Sequence, residues 1–298
     1  MSLVNINSLK VKYGDFEALN IERQISINKS DRIGVIGLNG SGKTTLVKTL
    51  LGLLKYEGSI DFNINFNDMA VHLQHNNYVE TMSVYSIIKN ILTKEQLNSD
   101  RFNELISYFS FEKCLNQKYQ HLSGGEKQRL TIILVLMQNR KLTFFDEVTT
   151  GLDFETRKNL IQKINSWYKN EKEALVLVTH YYEELEELVN KLLILHRGKV
   201  VDYGNSKKLF EKYCGRSVII YDDNKSFNNL NDYKHIIAPK NLKAIKVKDE
   251  DEEVKIVKQL INNNINFKRT NYDIELIYLN ALGDLKWKKK LFMKLKTF

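Results

Sequence analysis

The sequence predicts an α/β fold with a second, smaller unit at its carboxyl end. Short apolar runs indicate buried strands at 32–36, 142–145 and 175–178, and helical patterns follow at 46–51 and 154–168. Strands that alternate with helices are typical of a mainly parallel sheet covered by helices. A length of 298 residues suggests one large domain and one smaller domain.

The first of these strands and its helix enclose a glycine-rich loop that fits the phosphate-binding pattern G-x-x-x-x-G-K-[ST]. In order, the loop reads Gly37, Leu38, Asn39, Gly40, Ser41, Gly42, Lys43, Thr44 and Thr45. Glycine lets the backbone approach a phosphate closely, and successive N–H groups and the helix N-terminus then favour the anion. A chance match occurs in about one chain of this length in a hundred. The loop therefore predicts a nucleotide site in which Lys43 reaches the β and γ phosphates and Thr44 binds Mg²⁺.

Two carboxylates and a histidine follow other predicted strands. Asp146 and Glu147 come directly after the run 142–145, and His180 follows the run 176–178 closely. Ligands bind at the carboxyl edge of such sheets. We therefore expect Asp146 to orient Mg²⁺, Glu147 to polarise an attacking water and His180 to contact the γ-phosphate. Alone, an acidic pair is more often a solvated loop and a histidine more often structural; the phosphate loop in the same chain favours catalysis.

A second short motif indicates which kind of ATPase this is. Residues 122–126, which read Leu-Ser-Gly-Gly-Glu, resemble the signature sequence of the ATP-binding cassette (ABC) ATPases. Other positions resemble further motifs of that family. In chain order they are Tyr13, Gln74 and residues 142–147, 150–153 and 176–180. The resemblance covers about the first two thirds of the chain, and six motifs in the right order are hard to obtain by chance.

The resemblance implies a role for each motif residue. Tyr13 would stack on adenine, and Gln74 would contact Mg²⁺ and face a membrane partner. The catalytic residues would be Glu147, His180, Lys43 and Gln74, and the metal ligands Thr44, Gln74 and Asp146. The residues expected to bind ATP are Tyr13, Gly37, Asn39, Gly40, Ser41, Gly42, Lys43, Thr44, Thr45, Ser123, Gly124, Gly125 and Asp153.

The signature motif also implies a dimer, because in this family it serves the ATP held by the other subunit. Ser123 and the backbone N–H groups of Gly124 and Gly125 would approach the γ-phosphate from the side opposite the phosphate loop. The loop ending at Asp153 would cross between the subunits. The expected assembly is a homodimer, or a heterodimer with a paralogous ATPase, that closes around two ATP molecules.

The resemblance also divides the chain into domains. It implies a nucleotide-binding domain over 1–214, with a helical subdomain at about 75–138 that docks on a membrane subunit, and a small antiparallel β-subdomain. Residues 215–298 would form a small α+β carboxy-terminal domain that resembles, less specifically, the one in drug, bacteriocin and peptide exporters. The tail 286–298 carries six lysines and no acidic residue. It is either a basic amphipathic segment for a membrane surface or permease, or a terminal helix packed on protein.

Composition fits a soluble, cytosolic protein, and the resemblance implies a location at the inner face of the cell membrane, where a permease would hold the protein. The longest apolar run, 132–137, is too short to span a bilayer, and the start shows no secretory signal. Cys114 and Cys214 lack metal-site spacing, which predicts free thiols. The net charge of +9 indicates either a nucleic-acid or membrane-surface partner or a compositional bias towards lysine and asparagine. A nucleic-acid partner is not expected.

We therefore expect the chain to be the ATP-hydrolysing subunit of an ABC transporter that drives a separate integral-membrane permease and exports drugs or peptides. Two alternatives stay open: a cassette ATPase that acts on the ribosome or nucleic acid, and the ATPase of an importer. Two residues depart from the usual pattern. Val148 replaces a common proline, and Glu126 replaces a commoner glutamine. Neither departure should abolish activity.

Overall fold

The computed structural model describes residues 2–73, 78–169, 173–223 and 230–295, with side chains up to residue 284. The strands and helices of the first half are β1 (Ser2–Tyr13), β2 (Phe16–Ile21), β3 (Ile25–Asn28), β4 (Arg32–Ile36), α1 (Lys43–Leu50), β5 (Glu57–Phe62), β6 (Met69–His72), α2 (Val84–Ile91), α3 (Lys94–Leu97), α4 (Asp100–Tyr108), α5 (Gly124–Met137) and β7 (Leu142–Asp146). The second half contains α6 (Phe154–Lys169), β8 (Ala174–Val178), α7 (Tyr182–Leu188), β9 (Lys191–His196), β10 (Lys199–Asn205), α8 (Ser206–Cys214), β11 (Ser217–Asp222), β12 (His235–Ile236), β13 (Leu242–Val247), α9 (Glu250–Asn262), β14 (Phe267–Thr270) and α10 (Ile274–Leu295).

The central sheet has six strands in the order β10-β9-β4-β8-β7-β6. All neighbouring pairs are parallel except β9 and β10, which form an antiparallel hairpin. Strands β4, β7 and β8 are buried along nearly their whole length because both faces of the sheet are covered, one by α5, α6 and α7 and the other by α1 and strands β1 to β3. In register, Asp146 at the end of β7 lies opposite Val178 at the end of β8. The carboxyl ends of these strands therefore meet at one edge.

A smaller antiparallel sheet lies at the amino end of the chain. Strand β1 is its centre and pairs with β2, β3 and β5. Its apolar residues pack in one core with α1 and with one face of the central sheet. The expected fold class is confirmed: a nucleotide-binding cassette with a mainly parallel sheet, a small antiparallel sheet and a helical subdomain.

The helical region comprises α2 to α5. Helix α5 is buried on all sides over its second half, from Leu130 to Met137, and its neighbours pack around it. Helix α2 begins at Val84, because Ser83 caps it by accepting a hydrogen bond from the Ser86 N–H at 3.2 Å.

The segment after residue 214 forms a four-stranded antiparallel sheet in the order β12-β13-β11-β14 with α9 and α10. Successive residues of β11 point to opposite faces. Ile219 and Tyr221 pack with α9 in a small local core, whereas Val218 and Ile220 join the large core that also contains α7 and α8. The carboxy-terminal segment therefore shares a core with the cassette.

Two features of this segment were not predicted. Strand β14 is polar and mostly exposed, so it carries no apolar pattern. The last helix, α10, runs without interruption from Ile274 to Leu295 and so includes most of the basic tail. The side chains of the basic tail 286–298 lie outside the described residues.

Candidate functional site

The glycine-rich loop joins β4 to α1 at the carboxyl edge of the central sheet. Gly42 directly precedes α1 in a left-handed conformation with φ of 101°, and Gly40 has φ of 74°. A Cβ atom on Gly42 would lie 2.5 Å from Leu19 Cδ2 and 2.9 Å from the Ala18 carbonyl oxygen. Only glycine satisfies both the conformation and the close approach at residue 42.

The Lys43 side chain curls back into this loop. Its Nζ donates to the carbonyl oxygens of Gly37 at 2.8 Å and Leu38 at 3.3 Å. Burial lowers the pKa of the Lys43 ammonium, and attraction to Glu147 and Asp146 partly offsets the effect. A cation is thus held against the loop at the N-terminus of α1, and helix N-termini and glycine-rich loops are places that favour phosphate.

A cavity of about 460 Å³ opens in front of the loop. Its lining consists of Asn39, Gly40, Ser41, Gly42, Lys43, Thr44, Thr45, Glu147, Thr150, His180 and Tyr181. The size lies in the range of small-molecule sites. The cavity therefore brings the phosphate loop together with the carboxylate and the histidine that the sequence singled out.

Asp146 ends β7 at the base of this site and is fully buried. Within the described part of the chain, neither of its carboxylate oxygens has a hydrogen-bond partner of ordinary geometry. Burial raises the pKa of the Asp146 carboxyl, and the nearby Thr44 hydroxyl partly counters that rise. A buried carboxylate whose oxygens make no hydrogen bond of ordinary geometry favours a bound ligand, and oxygen atoms from a carboxylate and a hydroxyl suit Mg²⁺. The two residues therefore fit the metal expected at this position.

Glu147 lies one residue further along, in a left-handed conformation with φ of 54°. A residue other than glycine keeps that conformation only where its surroundings impose it. Its N–H donates to the carbonyl oxygen of Val178 at 2.8 Å, and its Oε2 accepts from the Thr150 hydroxyl at 3.2 Å. Val148, the departure from proline, is fully buried. The backbone thereby turns the Glu147 carboxylate toward the cavity.

His180 follows β8 and faces the same carboxylate. Its Nε2 lies 2.6 Å from Glu147 Oε1, and its side chain is 38 % exposed whereas that of Glu147 is 12 % exposed. An N–H on Nε2 must donate in this contact, because a carboxylate oxygen accepts. The histidine therefore lies between the solvent-facing side of the cavity and the carboxylate.

The signature motif forms the start of α5, away from this cavity. Ser123 caps the helix by accepting from the Glu126 N–H at 3.3 Å, while Glu126 Oε2 accepts from the Ser123 N–H at 2.8 Å. The N–H bond from Ser123 lowers the pKa of the Glu126 carboxyl. Glu126 Oε1 also accepts from the Cys114 thiol, whose pKa burial raises to about 11. Glu126 thus completes the capping box at the start of α5, a role that the commoner glutamine could also fill.

The other expected nucleotide contacts lie apart from the cavity. Tyr13 ends β1 and is 49 % exposed, beside Phe16 in the register of the hairpin. Asp153 caps α6 by accepting from the Thr156 N–H at 3.0 Å. Ser123, Gly124, Gly125 and Asp153 do not line the cavity of their own chain. Gln74 lies outside the described residues.

One buried carboxylate beside the site was missed by the sequence reasoning. Glu184 on α7 is 5 % exposed and accepts hydrogen bonds from the hydroxyls of Thr149 at 2.7 Å and Thr179 at 2.8 Å. Arg157 Nε lies 3.6 Å from Glu184 Oε1. Glu184 was missed because it is one of four glutamates in α7. Its spacing of four residues from the apolar Leu188, which places both on one helix face, is the sequence signal that could have identified it as buried.

The parallel sheet, the phosphate loop and the carboxylates at its edge define the class of protein as an ATPase with a phosphate-binding loop. Comparison with known families matches residues 22–150 to the family described as ABC transporter. The chain belongs to the ABC transporter ATPases, a family that hydrolyses ATP.

Several curated proteins are similar to this chain. The methionine import ATP-binding protein MetN of Clostridium tetani is 31 % identical over 227 residues, which cover 70 % of this chain and 71 % of that protein. MetN of Clostridioides difficile is 25 % identical over 297 residues, which cover 93 % of this chain and 87 % of that protein. The probable sulfate/thiosulfate import ATP-binding protein CysA of Chlorella vulgaris is 28 % identical over 217 residues, covering 68 % and 92 %.

Solved structures support the fold. The structure titled as the ATP-binding subunit of an ABC transporter matches with a TM-score of 0.64 at 22 % identity and covers 72 % of this chain and 95 % of that chain. A nucleotide-free ATP-binding cassette from an ABC transporter matches with a TM-score of 0.60 at 20 % identity, covering 69 % and 92 %. Among the described residues, no helix is long and apolar enough to cross a bilayer.

Proposed function

We propose that this protein hydrolyses ATP between two cassettes and thereby drives a separate integral-membrane permease, with import as the direction that its relatives favour. The observation that carries the proposal is the contact of 2.6 Å between His180 Nε2 and Glu147 Oε1 at the mouth of the phosphate-loop cavity. A carboxylate and a histidine in contact there have the chemistry needed to hold and orient a water beside a γ-phosphate.

Each residue has a role in the proposed reaction. Glu147 accepts a hydrogen bond from the water that attacks the γ-phosphorus, and the bond from that phosphorus to the bridging β-oxygen breaks. Lys43 and the N–H groups of the loop stabilise the negative charge that spreads over the phosphate oxygens. His180 donates to the γ-phosphate and to Glu147 in turn.

The metal has a place in this proposal. Thr44 and Asp146, together with Gln74, would hold Mg²⁺. The ion, when bound, neutralises charge on the phosphates of the nucleotide. The support for the assignment is the pair of buried Asp146 oxygens, which have no hydrogen-bond partner in the described part of the chain.

The proposed dimer places two half-sites face to face. Helix α5 has 14 residues, and its N-terminal end at Ser123 and Gly124 is exposed. This end does not line the cavity of its own chain. Such an end favours an anion. We assign it to the γ-phosphate held by the second cassette, and we assign Asp153 to the contact between the subunits and Tyr13 to the adenine.

Domain roles follow the same proposal. Residues 1–214 would be the nucleotide-binding domain, with the helical subdomain at about 75–138 docking on the permease at the cytoplasmic face of the membrane. Residues 215–298 would be a small carboxy-terminal domain. The partners in this proposal are an integral-membrane permease and a second cassette, which is either an identical subunit or a paralogous ATPase.

The comparisons do not support export, which was the expected direction of transport. Export of drugs or peptides was expected from the carboxy-terminal segment, yet the relatives reported above are named import ATPases for methionine and for sulfate or thiosulfate. Their names favour the importer alternative. No relative described here supports the ribosome or nucleic-acid alternative.

The test is affinity purification of a Glu147→Gln variant from gently solubilised native membranes with ATP and Mg²⁺. Glutamine cannot activate water as a base, so the variant should hold ATP and accumulate in the closed state with its partner. A polytopic membrane protein should co-purify, and the wild-type protein treated with ADP is the control that should lose the closed pair of cassettes while keeping the permease. Recovery of ribosomal proteins or nucleic acid in place of a permease would overturn the proposal.

A further inference from the structure

The two reactive side chains of the site are held by loops that meet at one buried carboxylate. Thr149 follows Glu147 by two residues, and Thr179 directly precedes His180. Both hydroxyls donate to Glu184, to Oε1 at 2.7 Å and to Oε2 at 2.8 Å. Each carboxylate oxygen therefore fixes one of the two loops.

The bonds around each threonine pass this constraint to the reactive residues. The Thr179 hydroxyl also accepts from the Tyr181 N–H at 3.1 Å, so the backbone on both sides of His180 is tied to it. In the other loop, the Leu152 N–H donates to the Thr149 carbonyl oxygen at 3.2 Å, and the Thr150 N–H donates to that of Glu147 at 3.1 Å. Displacing either hydroxyl would shift the turn that carries a reactive group.

Arg157 on α6 provides the countercharge for Glu184. Its Nε lies 3.6 Å from Glu184 Oε1, and its guanidinium lies 3.7 Å from the ring centre of Tyr181, the residue after His180. A buried carboxylate is stable only when it is paired and fully hydrogen-bonded. Burial raises the pKa of the Glu184 carboxyl, while the two threonine hydrogen bonds and Arg157 lower it in part.

We propose that Glu184 is a positioning residue for ATP hydrolysis: through Thr149 and Thr179 it holds Glu147 and His180 in register with each other. This inference rests on the proposed function. Glu184 does not line the cavity, so it acts through the two threonines and not on the substrate. Its role is to keep the left-handed Glu147 and the loop of His180 from relaxing apart.

The proposal predicts a specific kinetic effect. Thr149→Val and Thr179→Val keep the side-chain shape and remove the hydroxyl, and Glu184→Gln removes the charge. Each change should lower kcat about 10- to 100-fold, the cost of a misplaced catalytic group. The KM for ATP should change less than about 2-fold, because the phosphate loop is untouched. Thr149→Ser and Thr179→Ser restore the hydroxyl and should restore kcat.

A purely structural role would give a different pattern. In that case the valine variants would lower the melting temperature while kcat per folded molecule stayed at the wild-type value, and this result would overturn the proposal. The serine variants keep the test valid if Glu184→Gln fails to fold. Failure of serine to rescue a slow valine variant would also count against it.

A double variant separates this inference from the proposed function. In the Glu147→Gln background, Thr149→Val should cause little further loss, because Glu184 is proposed to act through Glu147 and His180. If Thr149→Val lowered kcat in this background as much as it does in the wild-type protein, Glu184 would not act through Glu147. If Glu147→Gln alone turned over ATP at the wild-type rate, the proposed function would fail, whereas a slow Glu147→Gln with normal threonine variants would refute only the positioning role.

Discussion

His180 and Glu147 lie 2.6 Å apart, joined through Nε2 and Oε1, although 33 positions separate them in the chain. Two adjacent parallel strands, β7 and β8, deliver them to the same edge of the sheet. A local motif search finds each residue separately. Their contact is a property of the tertiary structure.

Replacing His180 by alanine should slow hydrolysis without preventing ATP binding. The change removes a donor that faces the reacting phosphate, and loss of one such donor typically lowers kcat about 100- to 1000-fold. Steady-state phosphate release gives kcat, and equilibrium titration with ATP gives the dissociation constant. His121→Ala, at an exposed histidine of the helical region, is the matched control and should leave kcat at the wild-type value.

Equal turnover by His180→Ala and the wild-type protein would show that the contact with Glu147 has no part in the reaction.

Replacing Lys43 by alanine should weaken ATP binding itself. The ammonium is held among the loop carbonyls and is the buried cation of the cavity. Loss of hydrogen bonds to a charged group costs about 1.5–3 kcal/mol, which corresponds to an affinity loss of roughly 10- to 150-fold. Isothermal titration with ATP measures it. Lys55→Ala, on the exposed segment after α1, should bind ATP normally.

Should Lys43→Ala keep the wild-type dissociation constant, the cavity would not be the phosphate site.

Stability should fall below neutral pH because His72 on β6 is buried and uncharged. Burial lowers the pKa of the imidazole to about 4, and its Nε2 lies 2.8 Å from Gln128 Oε1. An unfolded histidine has a pKa of about 6.5. Between these values the unfolded chain binds a proton that the folded chain does not. The free energy of unfolding should therefore decrease by about 3 kcal/mol as the pH falls from 6.5 towards 4.

A His72→Gln variant tests this expectation, because glutamine keeps a donor towards Gln128 but does not titrate in this range. Urea unfolding followed by circular dichroism from about pH 7 to about pH 5 compares the two slopes. The variant should have the shallower slope. Identical slopes would assign the acid sensitivity of the protein to other groups.

The carboxy-terminal segment should contribute to the stability of the cassette. Ile277 of α10 is fully buried in the core that contains Leu185 of α7 and Phe210 of α8. Ile277→Ala should lower the free energy of unfolding by about 2–5 kcal/mol. Ile261 of α9 is 58 % exposed, and Ile261→Ala should change it by less than about 0.5 kcal/mol. Chemical denaturation of the two variants makes the comparison.

If both isoleucine variants unfolded as the wild type does, the shared core would not couple the carboxy-terminal segment to the cassette.

The features that could be predicted from the sequence were those determined by short stretches of consecutive residues. The phosphate loop needs a strand, glycines at fixed spacing and a helix start, and all three are consecutive in the chain. Asp146 and Glu147 were likewise marked by the apolar strand before them. The fold class followed from the same strands, because buried parallel strands are apolar without interruption.

The unpredictable part depended on side chains brought together by packing. Helix α7 reads Tyr-Glu-Glu-Leu-Glu-Glu-Leu, and composition alone does not separate the buried Glu184 from the three other glutamates of the helix. Both faces of strand β11 are apolar, and Val218 and Ile220 on one face belong to the core that also contains residues of α7 and α8. Helical spacing can place Glu184 on the buried face of α7, but it does not show which residues from other elements contact it.

The register of β7 against β8 limits where this chain tolerates insertions. One residue added to or removed from either strand would move Glu147 relative to His180 by about 3.3 Å, the rise of one residue in a strand. That displacement exceeds the whole length of their present contact, and it would also turn every later side chain of the strand to the opposite face. Changes in length among homologous chains should therefore collect in the connections, while the span of these two strands stays constant.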